Sequence, residues 1–92
     1  MDDYINYLEK NLNLYDYTLI KTTSTKAVII KTYFKYTKCI YISYIDDFIE
    51  IRIDKIFDFY TVGNNIERLI IPRKTFNNLD DSLNYIQKNI AT

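Results

Sequence analysis

Between about residue 15 and residue 71 the chain runs through a series of segments rich in β-branched and aromatic residues, and the gaps between them are short. A crossover joining parallel strands needs about a dozen residues or more, usually as a helix, so gaps of this size leave only antiparallel neighbours. Strands are predicted near residues 15–19, 27–35, 39–45, 48–54, 56–62 and 66–71. The predicted breaks are the Thr22-Thr23-Ser24-Thr25 run, Tyr36-Thr37-Lys38, Asp46-Asp47, Asp54-Lys55 and Gly63-Asn64-Asn65. With one Gly and one Pro in 92 residues, most of these turns must be built from Asn, Asp, Thr, Ser or Lys.

Helical periodicity appears only at the two ends. Tyr4, Ile5, Leu8 and Leu12 follow Asp2 and Asp3, either of which suits a helix N-cap, and predict a helix over about 3–13. After Pro72 the period returns to helical, with Leu79, Leu83, Ile86 and Ile90 on one stripe and Asn78 placed as cap ahead of Asp80 and Asp81. The expected fold is therefore α+β: one antiparallel meander sheet of about five to six strands, with an N-terminal and a C-terminal helix packed on one face. Residues 1–92 are expected to form a single domain, since two cores of half this length would each be too small.

Strand registers follow from asking which pairing gathers apolar residues on one side, because a slip of one residue reverses every side chain. The predicted core face holds Val28, Ile30, Phe34, Ile40, Ile42, Tyr44, Ile49, Ile51, Ile53, Phe57, Phe59, Leu69 and Ile71. The opposite face is then expected to carry Lys31, Tyr33, Lys35, Tyr41, Ser43, Glu50, Arg52, Asp58, Tyr60, Arg68 and Ile70, with Ile29, Ile45, Phe48, Val62 and Ile66 gathered towards one end. In that register Arg52 sits between Tyr41 and Asp58, and Glu50 lies beside Tyr60, which faces Arg68. Tyr and Arg are enriched at energetically important interface positions. Ile29, Tyr33, Tyr41, Ile45, Phe48, Arg52, Tyr60, Val62, Ile66 and Arg68 are therefore the candidate binding residues.

The residues offer little for catalysis. No histidine occurs, which removes the usual general base near neutral pH and the commonest metal ligand. The single Cys39 has no second thiol and no histidine to activate it. One glycine writes no phosphate-binding loop. The acid pairs Asp2-Asp3 and Asp80-Asp81 fall at predicted helix starts, and Asp46-Asp47 at a hairpin turn, which is structural placement. A non-enzymatic protein with no cofactor and no metal is expected.

Twelve basic residues balance twelve acidic ones, so bulk charge draws no polyanion. The acidic start, short apolar runs and lone cysteine suit a cytoplasmic protein with neither signal peptide nor membrane span. Heavy use of Ile, Lys, Asn and Tyr, all written with A/T-rich codons, is compatible with a phage or mobile element. The expected function is inhibition or regulation of a host protein through the Tyr/Arg face, with a homodimer as an equally physical use of that surface. Single-stranded nucleic acid is the alternative partner, with Tyr33, Tyr41 and Tyr60 stacking bases among Lys31, Lys35, Arg52 and Arg68. Zero net charge and the interleaved Glu50 and Asp58 count against it.

Overall fold

The computed structural model describes residues 1–13, 15–57 and 67–90, with backbone alone at 67–69. Helix α1 (Asp2–Asn11) leads into strands β1 (Thr18–Lys21), β2 (Lys26–Thr32), β3 (Tyr36–Ile45), β4 (Phe48–Phe57) and β5 (Glu67–Phe76), and helix α2 (Leu79–Ile90) follows. The sheet has the order β1-β2-β3-β4-β5 with every pairing antiparallel. This is the α+β meander expected from the short gaps, with five strands. The predicted Gly63-Asn64-Asn65 turn and the predicted strand beyond Phe57 lie outside the described residues.

Period-two alternation along β4 sends Ile49, Ile51 and Ile53 to the helix-covered side, where all three are buried. Ile40 and Ile42 of β3 join them, and the helices contribute Tyr4, Leu8, Leu12, Ile86 and Ile90 to the same cluster. Fully burying an Ile or Leu side chain contributes roughly 1.5–3 kcal/mol. The five central isoleucines therefore make this face the main source of stability.

Acidic residues in the first turn favour the start of both helices, and α2 has a side-chain cap as well. α2 begins at Asn78, whose side-chain oxygen accepts from the amides of Asp80 (2.8 Å) and Asp81 (3.2 Å). Its inward stripe is Ser82, Ile86 and Ile90, flanked by Leu83 and Tyr85, while Leu79 stays exposed. α1 carries Asp2 and Asp3 in its first turn, but neither caps it. Met1 is the N-cap, and the Asp2 carboxylate instead meets Lys21 Nζ at 2.7 Å. The Lys21 ammonium and its hydrogen bond hold the Asp2 carboxyl below its ordinary pKa.

The helices are fastened to each other as well as to the sheet. Ser82 Oγ donates to Leu79 O at 2.7 Å, which uses its one proton, so the buried Tyr4 hydroxyl donates to Ser82 Oγ, also at 2.7 Å. Burial drives the Tyr4 phenol up to about 12. The Tyr4 ring stacks on Tyr44, with centroids 5.3 Å apart. The Tyr7 hydroxyl reaches Asp80, and Asn13 and Gln87 exchange two hydrogen bonds of 2.9 and 3.1 Å.

Several expectations about the strands are corrected. The β2–β3 turn is not Tyr36-Thr37-Lys38; these residues belong to β3, and the chain reverses at Phe34-Lys35, closed by Tyr33 N donating to Tyr36 O at 2.8 Å. That turn pairs Ile29 with Ile40 and Ala27 with Ile42, so Ile29 is core while Val28 and Ile30 point to the other side. Ala27-Val28-Ile29-Ile30 is apolar throughout, so its alternation carries no facing signal and the turn alone sets the register. Phe34, expected in the core, is 94% exposed at the hairpin tip. Asp54-Lys55 is no break, because β4 runs through it to Phe57.

Pro72 ends no strand either. β5 continues to Phe76, with the register shifting between the Ile51–Lys74 and Ile53–Ile71 pairs. Proline fits there because β5 pairs on one side only and the irregularity removes the need for a ladder amide. The Asp46-Asp47 turn does stand as expected. Both residues have positive φ, 51° and 61°, as a tight two-residue hairpin between Ile45 and Phe48 requires.

Candidate functional site

The helices cover one side of the sheet, and no described helix packs on the other. That second side is built by the residues alternating with the core isoleucines. On β4 these are Glu50, Arg52 and Asp54, a run of alternating sign between buried neighbours. Tyr41 is the register partner of Arg52, and the Arg52 guanidinium lies 4.6 Å from the Tyr41 ring centroid. Arg52 Nε also stands 3.5 Å from Asp54 Oδ1, and Asp54 is fully buried. Arg73 reaches across from β5 to Glu50 at 2.5 Å.

Tyr41, Glu50, Arg52 and Arg73 line an open groove of about 430 Å³ with Lys26, Ser43 and Ile45. Its charged lining differs from the mainly apolar walls of small-molecule pockets. Ile45 and Phe48 pair across the β3–β4 turn at one end, each about half exposed. Ile20 and Ile70 are similarly exposed, and Val28 and Ile30 lie on this side between them by register. No family model, curated protein or solved structure matches this chain.

Of the expected binding residues, the structure brings Tyr41, Arg52, Ile45 and Phe48 together on this face. Arg68 is the register partner of Ile56. Tyr60, Val62 and Ile66, and Asp58 as a partner for Arg52, lie outside the described residues. Ile29 and Tyr33 are corrected: Ile29 is core, and the Tyr33 hydroxyl donates to Ile90 O at the end of α2, on the helix-covered side. Ile20, Ile30 and Arg73 escape the sequence reading: the first two depend on the β2 register, and Arg73 follows the last predicted strand. Val28 points to this side by register but is buried.

A second cluster appears where the corrected register places Tyr33. Lys31 pairs with Lys38 and Lys38 with Lys55, so three lysines stand directly opposite one another on adjacent strands. Beside them runs an aromatic row: Tyr33 stacks on Tyr36 at 4.6 Å, and Tyr36 pairs with Phe57 at 5.6 Å. Lys31 and Lys38 Nζ lie 5.6 and 5.5 Å from the Tyr33 ring centre, and Lys55 Nζ lies 4.9 Å from that of Tyr36. Lys38 is buried and donates to Asn89 O in the last turn of α2. Burial, then the charge of Lys55, lowers its pKa, while burial and neighbouring Tyr36 raise that of Tyr33.

Among the described residues, no group of three or more Asp, Glu or Cys side chains is placed to hold a metal ion. No described helix is long and apolar enough to cross a membrane.

Proposed function

We propose that the chain is a non-enzymatic protein-binding module whose contact surface is the sheet face without a helix, centred on Tyr41 and Arg52. The observation that carries this reading is the Arg52 guanidinium laid on the Tyr41 ring and flanked by half-exposed Ile45, Phe48 and Ile70. Stacked Arg and Tyr at the centre of a surface, with apolar side chains around them, is the composition of an interface anchor. The Glu50–Arg73 ion pair and the attraction between Arg52 and Asp54 favour this arrangement before any partner arrives, which reduces the ordering cost of association. The A/T-rich composition makes a phage or mobile-element regulator of a host protein, in a cytoplasmic setting, the first case to test.

The double substitution Tyr41→Ala/Arg52→Ala removes the anchor while leaving the core isoleucines in place. In affinity capture from host extract, the parent chain is expected to retain a specific protein that the double variant loses, with both giving the same far-ultraviolet circular dichroism. Retention of the same protein by the variant refutes this surface. Mass in solution identifies the case in which the partner is a second copy of the chain. A nucleic-acid reading of this same face has lost Tyr33 and Lys31, which stand on the helix-covered side.

A further inference from the structure

The lysine row is an unusual thing for a sheet to contain, because like charges directly opposite one another oppose strand pairing. Lys31, Lys38 and Lys55 make two such pairs in succession. Among the described residues, no carboxylate is ion-paired with any of the three. Part of the positive charge has a structural use, since Lys38 meets the carbonyl end of α2 and the Lys31 ammonium donates to Tyr15 O. A helix C-terminus carries only about half a negative charge, so it balances a small part of three ammonium groups. Lys35 at the neighbouring hairpin tip adds a fourth.

We propose that this end of the sheet binds single-stranded nucleic acid, with Lys31, Lys35 and Lys55 on the phosphates and Phe34 as the exposed stacking platform. Phosphates neutralise the mutual repulsion of the row. The aromatic row lies two residues further along the strands, about 6.6 Å away, which places rings beside the cations along the same edge. Phe34, 94% exposed between Tyr33 and Lys35, presents a ring face that no sheet neighbour uses. Base-on-aromatic stacking tolerates any sequence, and lysines follow the backbone without reading it, which together favour a single strand over a duplex.

Correcting the register also removes one of the two local objections to nucleic acid, the other, Asp58, lying outside the described residues. Glu50 stands on the other side of the sheet, paired with Arg73, and does not interleave with Lys31 and Tyr33. The site is separate from the Tyr41–Arg52 face and does not rest on the protein-binding reading.

The test is fluorescence anisotropy of the full chain with a labelled single-stranded oligothymidylate of about 16 nucleotides, beside a duplex of equal length. Three phosphate contacts on a single strand give a logarithmic salt slope of about −2, so affinity is expected to fall roughly 20-fold between about 50 and 200 mM salt. Lys31→Gln/Lys55→Gln should bind more weakly and lose only roughly threefold over the same range. Phe34→Ala should weaken binding and leave the salt slope unchanged. The lysine double variant gives up the Lys31 bond to Tyr15 O and relieves two like-charge pairs, so it is expected to melt close to the parent, and its circular dichroism separates loss of binding from unfolding. Tyr41→Ala/Arg52→Ala should bind the oligonucleotide as the parent does. The proposal is overturned by absence of binding at about 100 μM protein in low salt, by unchanged binding of the lysine variant, or by equal affinity for the duplex.

Discussion

The Tyr4–Ser82 hydrogen bond joins residues 78 positions apart, with both side chains shut off from water. Ser82→Ala leaves the Tyr4 hydroxyl buried without an acceptor, and an unsatisfied buried polar group costs about 1–3 kcal/mol. Taking about 2 kcal/mol, the melting temperature of a domain this size drops by on the order of 10 °C. Tyr4→Phe is milder, about 1 kcal/mol, because Ser82 keeps its bond to Leu79 O and no orphan is created. With both changes made, no buried hydroxyl is left from the pair. The double variant is therefore expected to cost about as much as Tyr4→Phe alone, a coupling of about 2 kcal/mol. Urea unfolding followed by circular dichroism on the four proteins measures the cycle. Additivity within about 0.5 kcal/mol, or a Ser82→Ala variant as stable as the parent, would refute this account of how the helices are joined.

Two further outcomes follow from the same interior. The folded Tyr4 phenol titrates at about 12 against an ordinary value of 10.0, so the folded state holds its proton where the unfolded state has lost it. Its contribution is complete below pH 10 and disappears between about 10 and 12, at up to about 1.4 kcal/mol per pH unit. Urea midpoints across that window should fall with pH, and Tyr4→Phe should flatten the fall; a parallel fall in the variant contradicts the assignment. At the other end of the contact, Asn78→Ala leaves the Asp80 and Asp81 amides without their acceptor and should cost about 1 kcal/mol, most of it recovered by Asn78→Ser. Thermal melts of the three proteins decide it, and equal stability of the Ala variant counts against the cap.

What the residues disclosed in advance was set by where alternation is unambiguous. Ile49, Ile51 and Ile53 alternate with Glu50, Arg52 and Asp54, which discloses the facing of β4, though not its end at Phe57, and the Tyr41–Arg52 pair across from it. Asn78 ahead of Asp80 and Asp81, and the double aspartate at 46–47, name their own geometry because few other residues serve there. β2 gave no such signal. Its apolar run fits either facing, and the deciding turn at Phe34-Lys35 contains none of the usual turn residues, so Ile29 and Tyr33 were assigned to the wrong side. Ser82 lies on the apolar stripe of α2 and is inconspicuous until Tyr4 is seen opposite it. The lysine row exists only as a consequence of register, since positions 31, 38 and 55 have no relation along the chain.

The strand order has a kinetic side. Each strand pairs only with its neighbours in sequence, so the sheet can grow hairpin by hairpin through short loop closures, each fast on the folding timescale. The helices belong to the opposite regime. Joining α1 to α2 brings together residues 78 positions apart, a closure that becomes short only once the strands between them have paired. A sheet assembled before that step displays Ile29, Ile40, Ile42, Ile49, Ile51 and Ile53 to solvent, a broad sticky face in an intermediate otherwise well formed. In that interval the four-residue β1 and the proline-bearing β5 are what stand at the two edges, and a short strand and an irregular one are poor templates for another chain.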